Sequence, residues 1–181
     1  MKQHGSVLFM SLVFLLILTI VGVTAINSSS IEEKIAGNYN NQQLAFYAAE
    51  ATLLEAEKYI SETNLDVTEF TSECNQGLCF SGSHVNDAAS CSANSVSPWR
   101  EKDLWSNSSR VKKVEMNFGG ILFNGWYIIE FRCYLPKDHD GLKPDITNIN
   151  DWSQFFRITV KASGASKSAR AMLQSTYKKN N

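Results

Sequence analysis

The chain has 181 residues, 44% of them hydrophobic, a net charge of −1 and four cysteines. That length holds one domain of ordinary size plus an N-terminal segment, and the near-zero charge excludes a global attraction to nucleic acid or anionic lipid. The charge is unevenly spread: between Glu32 and Glu73 nine acidic residues face only Lys34 and Lys58, whereas residues 155–181 carry six Lys/Arg and no acid. These stretches read as solvated faces, with attraction between the two ends or to complementary partners as the alternative.

Ser6 to Ile26 is a run of 21 residues without Asp, Glu, Lys or Arg. As a helix it reaches about 31 Å, the thickness of a bilayer's hydrocarbon core. Lys2 precedes the run and Glu32 and Glu33 follow it, so the positive-inside bias places the N-terminus in the cytoplasm and the rest outside. A second reading is a cleaved signal peptide: Lys2 and His4 form a short basic region, and Val23-Thr24-Ala25 offers a small-residue cleavage site after Ala25 that would release a secreted soluble domain.

The next stretch, "SIEEKIAGNYNNQQLAFYAAEATLLEAEKYISE", predicts helix as far as about Glu62. Leu44, Tyr47, Ala51 and Leu54 share one helical face, and a helix this long needs its apolar face covered by a globular domain or by neighbouring subunits. Ser30 with Glu33 can form a capping box and Gly37-Asn38 is a second weak point, so the helix is expected to restart or bend there.

From about Thr63 to Ser109 the composition turns to Ser, Asn, Asp and Gly with little periodicity, which predicts loops with short helical pieces. Cys74, Cys79, Cys91 and Cys133 lie on the outer side of the membrane segment, where disulfides persist, and allow three connectivities. "CNQGLC" can close a small loop as Cys74–Cys79, and Cys91–Cys133 would then tie the irregular region to a strand. A four-cysteine zinc site is the competing reading, but the spacing lacks two short ligand pairs, so no metal is assigned.

"VKKVEMNF", "GGILF" and "WYIIEFRCY" predict strands, with Asn124-Gly125 as a two-residue hairpin turn between the last two. "FFRITVKAS" alternates: Phe156, Ile158, Val160 and Ala162 point to a core, while Arg157, Thr159, Lys161 and Ser163 face water. "ARAMLQSTY" adds a further strand. Catalysis has no support: there is no G-x-S-x-G, no H-E-x-x-H and no phosphate loop, and no cofactor is expected. His84 and His139 are isolated. Asp138, Asp140 and Asp145 cluster around Gly141, but in an EF-hand register the first and twelfth positions fall on Pro136 and Thr147, so the segment reads as a solvated turn. Basic strands near Phe155, Phe156 and Tyr177 raise a single-stranded DNA reading, but Phe156 is assigned to the core, so nucleic acid is not an expected partner.

A basic leader ending in Gly5 directly before an uninterrupted apolar helix resembles the prepilin signal of type IV pilins. "SSSIEEKIAGNYNNQQLAFYAAEATLLEAE" looks like the N-terminal region of PilX-type minor pilins, "C-x-x-G-L-C" looks like part of their pattern, and "FRITVKASGASKSARAMLQSTYKK" is similar to their closing strands. The resemblance implies prepilin peptidase cleavage after Gly5 with Lys2 in the leader, N-methylation of Ser6, and a retained helix. It also implies a departure. Most pilins carry glutamate at the fifth position of the processed chain, where its carboxylate meets the terminal ammonium of the subunit assembled before it, and here that position is Met10. A subunit without the carboxylate suits one with nothing ahead of it, like the K-type pseudopilin of type II secretion; the alternative is that Met10 is merely tolerated in a subunit of low occupancy.

The expected fold is α+β: a long N-terminal helical spine, membrane-embedded in its first half, against a C-terminal antiparallel sheet of about four strands. The expected organisation is a leader at 1–5, a transmembrane and assembly helix at 6–26, a continued spine at 27–62 and a pilin head at 63–181. The expected function is that of a non-catalytic minor pilin that helps to initiate a type IV pilus and sits at or near its tip. Partners would be other minor pilins, the major pilin, a tip adhesin, the inner-membrane assembly platform and the prepilin peptidase. The alternatives are a type II secretion pseudopilin and a secreted domain cleaved after Ala25.

Overall fold

The structure, a computed structural model, describes residues 6–80, 97–138, 141, 145, 148–166 and 168–180. Contacts divide the chain into two units, one up to Asn40 and one from Asn41 onward. A single helix, α1 (Ser6–Glu62), contributes to both. It runs through Ser30 and Gly37 without interruption, so the expected restart is absent. The hydroxyl of Ser28 donates to Glu32 Oε1 at 3.3 Å along the exposed surface of the helix, and no helix start lies there for Ser30 to cap.

The second unit holds a mixed sheet of five strands: β1 (Leu78–Phe80), β2 (Lys112–Phe118), β3 (Ile121–Pro136), β4 (Trp152–Ser163) and β5 (Arg170–Asn180). β3 is the long central element. Its one edge is shared by β2, antiparallel along the first half, and β1, parallel further on, while β4 and then β5 continue antiparallel from the other edge. The parallel β1 was not expected; at three residues it is too short to show any alternation.

The hairpin turn differs from expectation. Asn124 and Gly125 lie inside β3, and the chain reverses at Gly119 and Gly120, whose φ values of 59° and 85° match a tight turn that side chains resist. Gly125 serves another purpose. A Cβ there would fall 1.9 Å from Thr52 Oγ1, so the missing side chain lets α1 lie directly on the sheet.

The same close approach selects the buried face of α1, which is Ala45, Ala48, Ala49, Thr52, Ala56 and Ile60. The expected face, Leu44, Tyr47, Ala51 and Leu54, is displaced around the helix: Tyr47 and Leu54 are 56% and 67% exposed. Small side chains face the sheet, whose inner surface supplies the bulk through Phe123, Ile129, Phe131, Phe156, Ile158 and Val160. The end of α1 is held by β5. Lys179 Nζ donates to the carbonyls of Ile60 at 2.7 Å and Thr63 at 2.6 Å, placing a cation where the helix dipole is negative.

Phe156, Ile158, Val160 and Ala162 are fully buried as alternation predicts, but the opposite face does not simply meet water, since Thr159 and Glu130 are also buried. A second cluster of Leu104, Val111, Ile128 and the Cys74–Cys79 pair covers it, flanked by Trp99, Trp105 and Trp126. Tyr127 belongs to the main core, and burial, then the nearby Tyr59 and Glu55, pushes its hydroxyl up to about 12. A raised folded value contributes stability that is complete below the free tyrosine value of 10.0 and lost as pH rises through about 12. Alkaline unfolding of the head should therefore steepen across pH 10–12, and Tyr127→Phe should flatten that limb when stability is followed by circular dichroism.

Candidate functional site

Among the described residues α1 is the one helix long and apolar enough to cross a membrane, and its apolar window is not buried against the rest of the protein. Within it the hydroxyls of Ser11, Thr19 and Thr24 each donate to a carbonyl three or four residues back, at 2.8–3.0 Å. The hydroxyl protons of those side chains are thus satisfied within the helix, which suits a lipid-facing segment. Ser6 is the first residue of α1, and Met10 lies in the next turn, 59% exposed. Lys2 and Gly5 lie outside the described residues.

In the head, Cys74 and Cys79 form a disulfide. Their loop is sharply turned, with φ of 59° at Cys74 and 45° at Gln76. Cys133 is also disulfide-bonded, and Cys91, its expected partner, lies outside the described residues. Asp66 caps the turn at Val67–Glu69: its carboxylate accepts from the backbone N–H and the hydroxyl of Thr68, and those bonds hold it below the usual carboxylate value.

The other sequence candidates are scattered. Phe156 is wholly buried and Tyr177 packs on the core, so neither is presented for base stacking. Asp138 and Asp145 belong to no group of three or more His, Cys, Asp or Glu placed to hold a metal among the described residues; Asp140, His84 and His139 lie outside them. Sequence reasoning missed a groove beside α1. Leu44, Tyr47, Ala51 and Leu54 line it together with Phe118 and Phe123 of the β2–β3 hairpin. The signal was present in the helical spacing of the four α1 residues, which identifies an apolar face without saying which surface covers it.

A long, exposed apolar helix whose later turns pack on the sheet of a disulfide-bonded α+β head defines the pilin-like class of proteins. Residues 4–53 match the PilX N-terminal family, and residues 75–179 match the type IV pilus assembly protein PilX C-terminal family. The chain belongs to the type IV pilus assembly protein PilX family. No curated protein and no solved structure matches it. Membership implies a structural part in pilus assembly, in association with the pilus machinery and other pilins.

Proposed function

We propose that the protein is a minor pilin that helps to start a type IV pilus and remains at or near the fibre tip. It is processed after Gly5, anchored in the inner membrane by residues 6–26 with its head in the periplasm, and passed into the fibre by the assembly platform. Its partners are other minor pilins, the major pilin and a tip adhesin. The observation that carries this reading is Met10, an apolar side chain on the exposed part of α1 where pilins usually place a carboxylate. An unpaired ion in hydrocarbon costs several kcal/mol, so a subunit without the carboxylate cannot offset the ammonium of a predecessor. It is suited to having none.

Met10→Glu tests this. Its carboxylate would lie in the apolar layer with no ammonium to meet, and would protonate or destabilise the first complex by several kcal/mol. Fibre number per cell, counted by electron microscopy, should fall severalfold while fibre length is unchanged, in a strain whose mature protein begins at Ser6 by terminal sequencing. Unchanged fibre number, with the protein found along the shaft, overturns first-subunit placement. Normal pili but blocked protein secretion in a strain lacking the protein would favour the type II secretion reading, and a mature terminus at Ile26 would sink both.

A further inference from the structure

We propose that the head carries a binding site for a carboxylated sugar, in a pocket of about 500 Å³ on the sheet face away from α1, lined by Trp105, Trp126, Lys161 and Arg170. Lys113, Trp126 and Lys161 lie directly opposite one another across β2, β3 and β4. Two ammonium-bearing side chains therefore flank one indole on the same face. Arg170 opens β5 opposite Ser163, and Lys102 and Ser106 close the pocket from the segment that carries Trp105. Among the described residues that line it there is no carboxylate. The nearest ion pair, Lys113 to Glu115 at 2.5 Å, joins two half-exposed side chains and is readily exchanged for another anion.

The pocket is short of negative charge. Lys161 Nζ sits 5.7 Å from the centre of the Trp105 ring, and burial, then the charge of Arg170, holds its ammonium below the usual lysine value. A ligand carboxylate would relieve that crowding. The pocket also offers apolar ring surface, since Trp105 and Trp126 both line it. An inorganic anion brings negative charge but no apolar face to lie against the indoles, and an acidic side chain brings only one or two methylenes. A carboxylated sugar brings both, a carboxylate for the cations and an apolar C–H face for the indoles. Single-stranded nucleic acid would also use cations and aromatic faces, but it calls for a groove following several nucleotides, whereas this is one pocket of small-ligand size.

The test is tryptophan fluorescence titration of the full-length chain in detergent with sialyllactose, a hyaluronan tetrasaccharide, neutral chitotetraose and an oligothymidylate. At least one of the two acidic sugars should saturate below about 1 mM, with the neutral sugar about tenfold weaker or more. Which acid binds distinguishes sialylated surfaces from uronate polymers. Lys161→Gln and Arg170→Gln should each weaken binding by about tenfold, as expected for loss of one charge-assisted contact, while Lys161→Arg retains it and the remote Lys58→Gln changes nothing. Circular dichroism melting checks that each variant is folded, and the two separate losses keep the test informative if one variant is not. Equal affinity for neutral and acidic sugars, tighter binding of the oligothymidylate, no saturation by either acid, or wild-type affinity in the folded Gln variants overturns the proposal.

Discussion

Gly125→Ala should lower the stability of the head by roughly 1–3 kcal/mol, seen as an earlier urea midpoint with an unchanged slope. The added methyl would stand 1.9 Å from Thr52 Oγ1 and 2.9 Å from its Cβ and Cγ2. Thr52 cannot simply swing aside, because its side chain is fully buried and its hydroxyl donates to Ala48 O at 2.7 Å inside the helix. Either α1 lifts from β3, opening the alanine face, or the threonine leaves its rotamer. A Thr52→Gly background, itself costing roughly 0.3 kcal/mol of helix propensity beyond the lost side-chain packing, should remove most of the penalty of the second change. A penalty that is undiminished there would mean that Gly125 serves some need of β3 itself and that the helix contact is incidental.

Glu130→Gln should cost more, roughly 3–5 kcal/mol. Glu130 is completely buried on β3 and receives Arg157 in a two-point contact, Nε to Oε2 at 2.7 Å and the second nitrogen to Oε1 at 2.6 Å. Arg132 is close by: burial, and then the charge of Arg157, lowers its guanidinium value, while Glu130 opposes that shift. Without the carboxylate two guanidiniums face each other in a partly dry site. The paired change Glu130→Leu with Arg157→Met removes both charges and should be far milder than the single change, since burying an ion pair gains little over an apolar pair of similar volume. If the double variant is as unstable as Glu130→Gln, charge is not what the site is balancing, and packing shape is.

Much of α1 could be read from the order of residues, because a charge-free run of bilayer length followed by helical spacing leaves few alternatives. Which face it buries could not. Hydrophobic patterning weights large side chains and so favours Leu44, Tyr47 and Leu54, whereas the sheet accepts whatever lets the backbones approach, which is alanine opposite a glycine. The same physics disguised Gly125 as half of a turn. Asparagine–glycine is a strong hairpin signal, yet a glycine that admits a neighbouring threonine looks identical in one dimension. On β4 the inward set was legible from alternation, while the burial of Thr159 was not, because it lies between Ile128 and Gln174 of neighbouring strands and accepts a hydrogen bond from the Gln174 amide, partners that only the sheet register supplies. For the candidate sites, Ser6 and Met10 needed only linear position. The cationic pocket draws on the register of four strands and a loop, so no local spacing betrays it.

The shared edge of β3 has a consequence for how the head comes to be folded. β2, β3, β4 and β5 pair with their neighbours in chain order, so each ladder closes a shorter loop than the one β1 must close, at a modest entropy cost. β1 must instead find Ile129 from Leu78 in parallel, across a long intervening segment, and occupy the part of the edge that β2 leaves free. Its docking belongs late in the sequence of events, after the meander has formed and defined the gap. A head waiting for β1 exposes the β3 edge over Ile129 to Phe131. That brief vacancy is where a newly made chain is most open to capture by the wrong strand.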